Sequence, residues 1–209
     1  MPSRARSSDG RGSLIVIEGM PGAGKTSAAA VLERRGHQVV GEYIAERPGV
    51  EDDEGHQRNW IAKAAIAALA MASDHVFCDR DFVTSLAFAV SIDDSDLLRE
   101  RTTWALAHLA AGRLAVGDAY LVLDVTPGVS LARRTGRLSP EHAWCRPRHL
   151  ERLRGFYQSP LDSLCRIDAA LGEAFARAHW FFASGEATAP QQVAELAERL
   201  ADQIARWPP

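Results

Sequence analysis

Eight consecutive residues, Gly19-Met20-Pro21-Gly22-Ala23-Gly24-Lys25-Thr26, constrain this chain more than any other stretch. They fill every fixed position of G-x-x-x-x-G-K-[ST], a phosphate-binding loop that works only between a buried strand and the first turn of a helix. The flanks supply both. Leu14-Ile15-Val16-Ile17 is an apolar run of strand length, and Ser27 to Arg35 is dominated by alanine and other helix formers. Glycines let the backbone turn its N–H groups toward an anion, and the N-terminus of the next helix adds a favourable partial positive charge. Gly19, Gly22, Ala23, Gly24 and Ser27 are therefore expected to cradle the phosphates of a nucleoside triphosphate. Lys25 should reach the β- and γ-phosphates, and the Thr26 hydroxyl should supply one ligand of an octahedral Mg2+. Among 24 basic residues only Lys25 and Lys63 are lysines, so a lysine in the loop runs against the usage of the chain. Arginine would be a poor replacement for the compact ammonium the loop needs.

With 209 residues, 46% of them hydrophobic, the chain can bury one full core and is expected to form a single domain over 13–209 behind a disordered tail at 1–12. A net charge of −3 and a pI near 6.2 argue against a nucleic-acid partner. Cys78, Cys145 and Cys165 have no metal-type spacing, and Cys78, inside an apolar run, reads as a buried thiol. The N-terminus lacks the apolar stretch of a signal peptide and no run reaches the length of a membrane span, so the expected setting is the cytoplasm, away from the membrane.

Strand-like and helix-like segments alternate throughout, which predicts a three-layer α/β/α fold around a five-stranded parallel sheet. The second to fifth strands are expected at His37 to Glu42, His75 to Cys78, Tyr120 to Val125 and Trp180 to Ala183. Tyr43 to Gly55 reads as loop, with a nearly all-apolar helix from Arg58 to Ala72 whose burial permits a homodimer. Asp93 to Asp96 reads as an acidic helix cap. Thr126-Pro127 reads as an N-cap with a first-turn proline. The stretch 138–148 reads as a mobile loop, and one helix is expected from Pro160 to about Ala178. Thr188 to Gln191 has capping-box form ahead of a last helix carrying Val193, Leu196, Leu200 and Ile204.

In a parallel sheet the ligand site lies beyond the C-terminal strand ends. Besides the loop, those ends carry Glu42, Asp79-Arg80, Asp124 with the arginine-bearing helix, and Ser184-Gly185-Glu186. Carboxylates, arginines and a phosphate cradle converging there are what phosphoryl transfer needs. Each has a plainer reading: a solvated strand end for Glu42, a surface ion pair for Asp79-Arg80, a solvated helix face for Arg133, Arg134 and Arg137. Trp60 and Trp144 could stack on a base or simply pack.

Over most of residues 13–206 the chain resembles the P-loop nucleoside and nucleotide kinases, closest to the thymidylate kinase branch. Asp79-Arg80-Asp81-Phe82-Val83-Thr84-Ser85-Leu86-Ala87-Phe88 is similar to that family's D-R-[YF]-x-x-S-S-x-A-Y stretch. Leu123-Asp124-Val125-Thr126-Pro127, with Leu131-Ala132-Arg133 and Arg137 beyond it, resembles the segment leading into the family's lid, here about 134–148. The resemblance implies ATP as phosphoryl donor, Mg2+, and a nucleoside or nucleoside monophosphate as small-molecule acceptor. It implies Asp79 near the metal or the phosphates, Arg80 as acceptor clamp, Arg133 and Arg137 as lid arginines that approach the triphosphate, and Gly185 along the donor base. The chain departs from thymidylate kinases after the second strand, where Glu42-Tyr43 replaces an R-E-P-G-G-like loop. There Glu42 resembles the carboxylate with which deoxynucleoside kinases take the proton of a 5′-hydroxyl. Phe88 and Ala89 stand where the family has Tyr and Gln, leaving the acceptor open between nucleoside, monophosphate and the hydroxyl of another metabolite or an antibiotic. A nucleotide-binding protein without catalysis is the rival from another class. A GTPase switch is disfavoured, since the third strand ends in Asp-Arg-Asp-Phe and N-K-x-D is absent.

Overall fold

In a computed structural model, residues 12–44, 53–72, 74–136 and 141–204 are described. Five parallel strands form one sheet in the order β2-β3-β1-β4-β5: β1 (Leu14–Gly19), β2 (Gln38–Val40), β3 (Val76–Asp79), β4 (Ala119–Asp124) and β5 (His179–Ser184). The α/β fold and its five-stranded parallel sheet are those expected. β1 is central, buried along its whole length and paired with β3 and β4. Burying each of its aliphatic side chains contributes about 1.5–3 kcal/mol. The edges are weaker: β2 has three residues, and β5 is half exposed but anchored by Trp180 stacked on Tyr120 with ring centroids 4.3 Å apart.

Helix α1 (Lys25–Arg34) follows β1 and packs with the last helix, α9 (Pro190–Ile204), over β1. Between them in sequence come α2 (Asp53–Ala70), α3 (Val83–Ile92), α4 (Ser95–Ala110) and α5 (Pro127–Arg134). A 3₁₀ turn (Ala143–Cys145) precedes α6 (Pro147–Gln158), α7 (Pro160–Ile167) and α8 (Ala169–Phe175). The caps read from sequence at α4 and α5 are present: Asp94 Oδ1 accepts from the Leu97 N–H at 2.9 Å, and Thr126 Oγ1 from that of Val129 at 3.4 Å.

Among the boundaries that differ, β2 covers only Gln38–Val40 of the expected His37 to Glu42, and four others have a local reason. Helix α2 begins at Asp53, and Glu54 in its first turn is favoured by the helix dipole; the loop expected through Gly55 ends earlier. The single helix expected after Pro160 is two, because Asp168 is extended (φ −159°) and caps α8 through the Ala170 N–H at 2.8 Å. The capping contact of α9 sits one residue late, with the Ala189 N–H donating to Gln192 Oε1. Most of the loop expected at 138–148 is ordered from 141 onward, by the 3₁₀ turn and the start of α6; 137–140 lie outside the described residues. Residues 1–11 of the expected tail also lie outside them, whereas the Gly12 N–H donates to the Met71 carbonyl at 2.8 Å. Cys78, Cys145 and Cys165 are free thiols, and burial pushes Cys78 up to about 12, which makes it inert. No helix among the described residues is long and apolar enough to cross a membrane.

Candidate functional site

The C-terminal ends of β1, β2, β3 and β5 open onto one cleft of about 1040 Å³. Its floor is the phosphate loop. Gly19 leaves β1 with φ +120°, and a Cβ there would lie 2.1 Å from the Leu123 carbonyl oxygen, so only glycine lets the loop cross β4 this closely. Gly24, at φ +97°, caps α1 with no side-chain bond, leaving first-turn N–H groups for an anion. Thr26 and Ser27 are exposed to the cleft beside Gly22 and Ala23, as the motif requires. Lys25 Nζ folds onto the loop itself, donating to the carbonyls of Gly19 (2.8 Å) and Met20 (2.7 Å). Burial and then the Arg80 charge pull its ammonium down to about 7, against the opposing pull of Asp79, Glu18 and Glu42.

The end of the cleft at the phosphate loop is made of backbone. Arg133 Nη1 donates to the carbonyls of Gly22 (3.1 Å) and Gly185 (2.8 Å), tying the loop to the turn after β5. That turn presses close, since a Cβ on Gly185 would stand 2.5 Å from the Ala23 carbonyl oxygen. From α5, Ser130 Oγ donates to the Pro21 carbonyl at 2.8 Å. Arg133 thus lies in the cleft on two carbonyls, Arg137 lies outside the described residues, and Arg134 reaches into the cleft. Asp124 faces elsewhere: Arg154 grips both its oxygens at 2.7–3.1 Å, a fork the sequence spacing did not disclose.

The opposite end is made of side chains. Arg80, 7% exposed, sits 2.9 Å through Nε from a Glu42 oxygen. The N–H is not aligned with that oxygen, so the contact is an ion pair and not a hydrogen bond. Burial opposes the Arg80 charge, yet Glu42, Glu18 and Asp79 overcome it and hold the guanidinium protonated. Two arginines approach the ring of Trp144 in the 3₁₀ turn, Arg134 at 5.2 Å and Arg80 at 5.7 Å from its centroid. Phe88 meets it edge-on at 5.7 Å, and Tyr43, His56, Trp60 and Arg101 complete the wall. Lys25, Arg80, Arg101, Arg133 and Arg134 face the cleft against only Glu42 and Glu186 among its lining residues, so it favours anionic ligands.

Asp79 is 1% exposed at the end of β3, and neither carboxylate oxygen has a hydrogen-bond partner. A buried anion without donors is costly unless a cation is near. With Lys25 in electrostatic range and the Thr26 hydroxyl in the cleft, the donor set fits a hydrated Mg2+.

Sequence reasoning missed the residue that holds this floor together. Glu18, fully buried, accepts from the N–H groups of Gly19 (3.2 Å) and Asp81 (3.0 Å), from Thr84 Oγ1 (2.7 Å) and from the Tyr157 hydroxyl (2.8 Å). A charge inside an otherwise apolar strand was the available signal. Beside it Asp81 accepts from the Tyr120 hydroxyl at 2.7 Å, and burial together with Glu18 raises its pKa.

The loop, the parallel sheet and its strand order define a P-loop domain of nucleotide-kinase-like fold. Residues 14–158 match the AAA domain family (AAA_28), and the chain belongs to that family. No curated protein matches it. Among solved structures, deoxyadenosine kinase from M. mycoides with bound dATP superposes with a TM-score of 0.57 at 17% identity, covering 90% of this chain and 98% of that one. The same enzyme with dCMP and a flexible dCDP gives 0.59 at 16%, covering 90% and 99%. Thymidylate kinase from Candida albicans gives 0.59 at 14%, covering 94% of each chain. At these identities the likeness is one of fold.

Proposed function

We propose that this protein is a kinase that moves the γ-phosphoryl group of ATP onto a small acceptor, a nucleoside or nucleoside monophosphate. The observation that carries the reading is the Glu42–Arg80 ion pair, facing the same cleft as the phosphate loop and walled by aromatic side chains. A protein that only bound or hydrolysed nucleotide would need no such second compartment.

In the transfer, an acceptor oxygen bonds to the γ-phosphorus as the bond from that phosphorus to the bridging β–γ oxygen breaks, and ADP departs. With a hydroxyl acceptor the proton passes to the Glu42 carboxylate; a monophosphate oxygen needs no base. Lys25 and the first-turn amides of α1 hold the phosphates, and Arg80 orients the acceptor. Arg133 fixes the loop and the base turn, Arg134 neutralises charge from the lid side, and Arg137 is proposed as a further lid arginine. Thr26 and Asp79 would hold Mg2+, which supplies charge neutralisation on the phosphate oxygens. A second copy of the chain is the proposed occupant of the outer face of α2, where Ile66 is 42% and Leu69 79% exposed; a one-chain mass in sedimentation removes it.

The test is ADP release from Mg-ATP against nucleosides, nucleoside monophosphates and unrelated hydroxyl metabolites, with the new phosphate located by mass spectrometry. Phosphorylation of none of them sinks the kinase reading; a product only on a non-nucleotide hydroxyl moves the acceptor class. Glu42→Gln should cut transfer to a hydroxyl by about 10²–10⁴-fold and to a monophosphate far less. Wild-type rates with a hydroxyl acceptor would overturn the base.

A further inference from the structure

Lys63 of α2 is the other of the two lysines, and it is 2% exposed. Its Nζ donates to the carbonyls of Gly41 (2.6 Å) and Asp79 (2.7 Å). These carbonyls belong to the residues immediately before Glu42 and Arg80, the two halves of the ion pair. Arg80 is one of two non-glycine residues with positive φ among those described, at +69°, a conformation that persists only where its surroundings impose it. The peptide unit joining Asp79 to Arg80 is held at both ends, its N–H by the Ile17 carbonyl at 3.1 Å and its C=O by Lys63. Glu42 is held likewise. One turn before Lys63, Asn59 Nδ2 donates to the Glu42 carbonyl at 2.9 Å, and Asn59 Oδ1 accepts from the Ile44 N–H at 3.2 Å. Residues four apart share a helix face, so α2 grips the exit of β2 at two successive points.

We infer that Lys63 is a positioning residue for phosphoryl transfer: one buried ammonium, bonded to the carbonyls preceding Glu42 and Arg80, fixes the separation and aim of that pair. The inference rests on the kinase reading above. Burial lowers the pKa of Lys63, but a neutral amine keeps two N–H donors, so both carbonyl bonds survive its deprotonation. A planar guanidinium is bulkier than a compact ammonium and would crowd this 2%-exposed site, which accounts for a lysine at this second position in an arginine-rich chain.

Lys63→Met removes both bonds at similar side-chain length. With a hydroxyl acceptor it should lower kcat about 10–100-fold, the scale of a small misplacement of reacting groups, while the KM for ATP stays within about twofold. The decisive readout is the double variant with Glu42→Gln. If Lys63 acts through the pair, Lys63→Met costs almost nothing further once Glu42 is gone; independent, multiplying losses overturn the inference. If Lys63→Met melts below the assay temperature, Lys63→Arg, which keeps a cation in the site, is read by the same cycle. Should wild-type protein phosphorylate no acceptor, the kinase reading fails by itself. Amide exchange then tests the clamp alone: Lys63→Met must speed exchange in segments 41–44 and 79–82 more than in β1 and β4, and unchanged exchange there overturns it.

Discussion

The two ends of the cleft are built from different materials. At the phosphate-loop end, the proposed donor end, the cleft is lined by peptide N–H and C=O, and the side chains there serve the backbone: Arg133 bonds two carbonyls, Ser130 a third, Lys25 two more. At the opposite end, the proposed acceptor end, the surface is Arg80, Glu42, Trp144, Phe88 and Arg134. A backbone cradle recognises what all triphosphates share. A side-chain wall recognises one shape and can change acceptor by substitution without disturbing the cradle.

Four perturbations would break or sharpen this contrast. The largest is Lys25→Met, which removes the ammonium of the phosphate loop; turnover should fall at least about 100-fold with any acceptor, measured as ADP release. Gly185→Ala comes next. A methyl group 2.5 Å from the Ala23 oxygen forces the base turn off the loop, a change of about 1–3 kcal/mol by the scale of overpacking. It should appear in the KM for ATP and not in that for the acceptor. Trp144→Ala should do the reverse, raising the acceptor KM about tenfold, of the size of a lost stacking and cation–π contact, with the ATP KM unchanged. Equal effects of these two variants on both KM values would erase the distinction between the ends.

The smallest effect is on pH dependence. Free Lys25 titrates near 7, and a bound triphosphate raises that value, so affinity is fully present below about 7 and falls as pH rises through it. Binding at pH 8 should therefore take up a proton, visible as a dependence of calorimetric heat on the buffer's ionisation enthalpy. No uptake would mean that Lys25 is already charged in the free protein.

The same contrast decides what could be read from the sequence. The donor end is local: residues 19–27 carry their own geometry, so loop, strand and helix were legible together. Strand alternation and caps made the sheet legible too. The acceptor end joins residues 42, 80, 134 and 144, whose meeting depends on sheet order and on how α5 and the 3₁₀ turn dock. Their types were visible but not their pairing. Lys63 and Glu18 were least legible, because each acts from inside the core on peptide groups, which no side-chain motif records. Arg154 and Asp124, thirty residues apart, show the limit from the other side: a carboxylate at a strand end proved to be occupied by a helix partner.

The Glu18 carboxylate, finally, bears on how the chain can be assembled in time. Its donors come from residues 19, 81, 84 and 157, and the last is separated from it by 139 residues. A nascent chain emerging from the ribosome can pair β1 with β3 and dock α3 long before Tyr157 exists, but the carboxylate then stays one donor short in a closing core. A fragment that stops before α6 should therefore remain loose around the phosphate loop, and the loop should become rigid in a single step when α6 arrives.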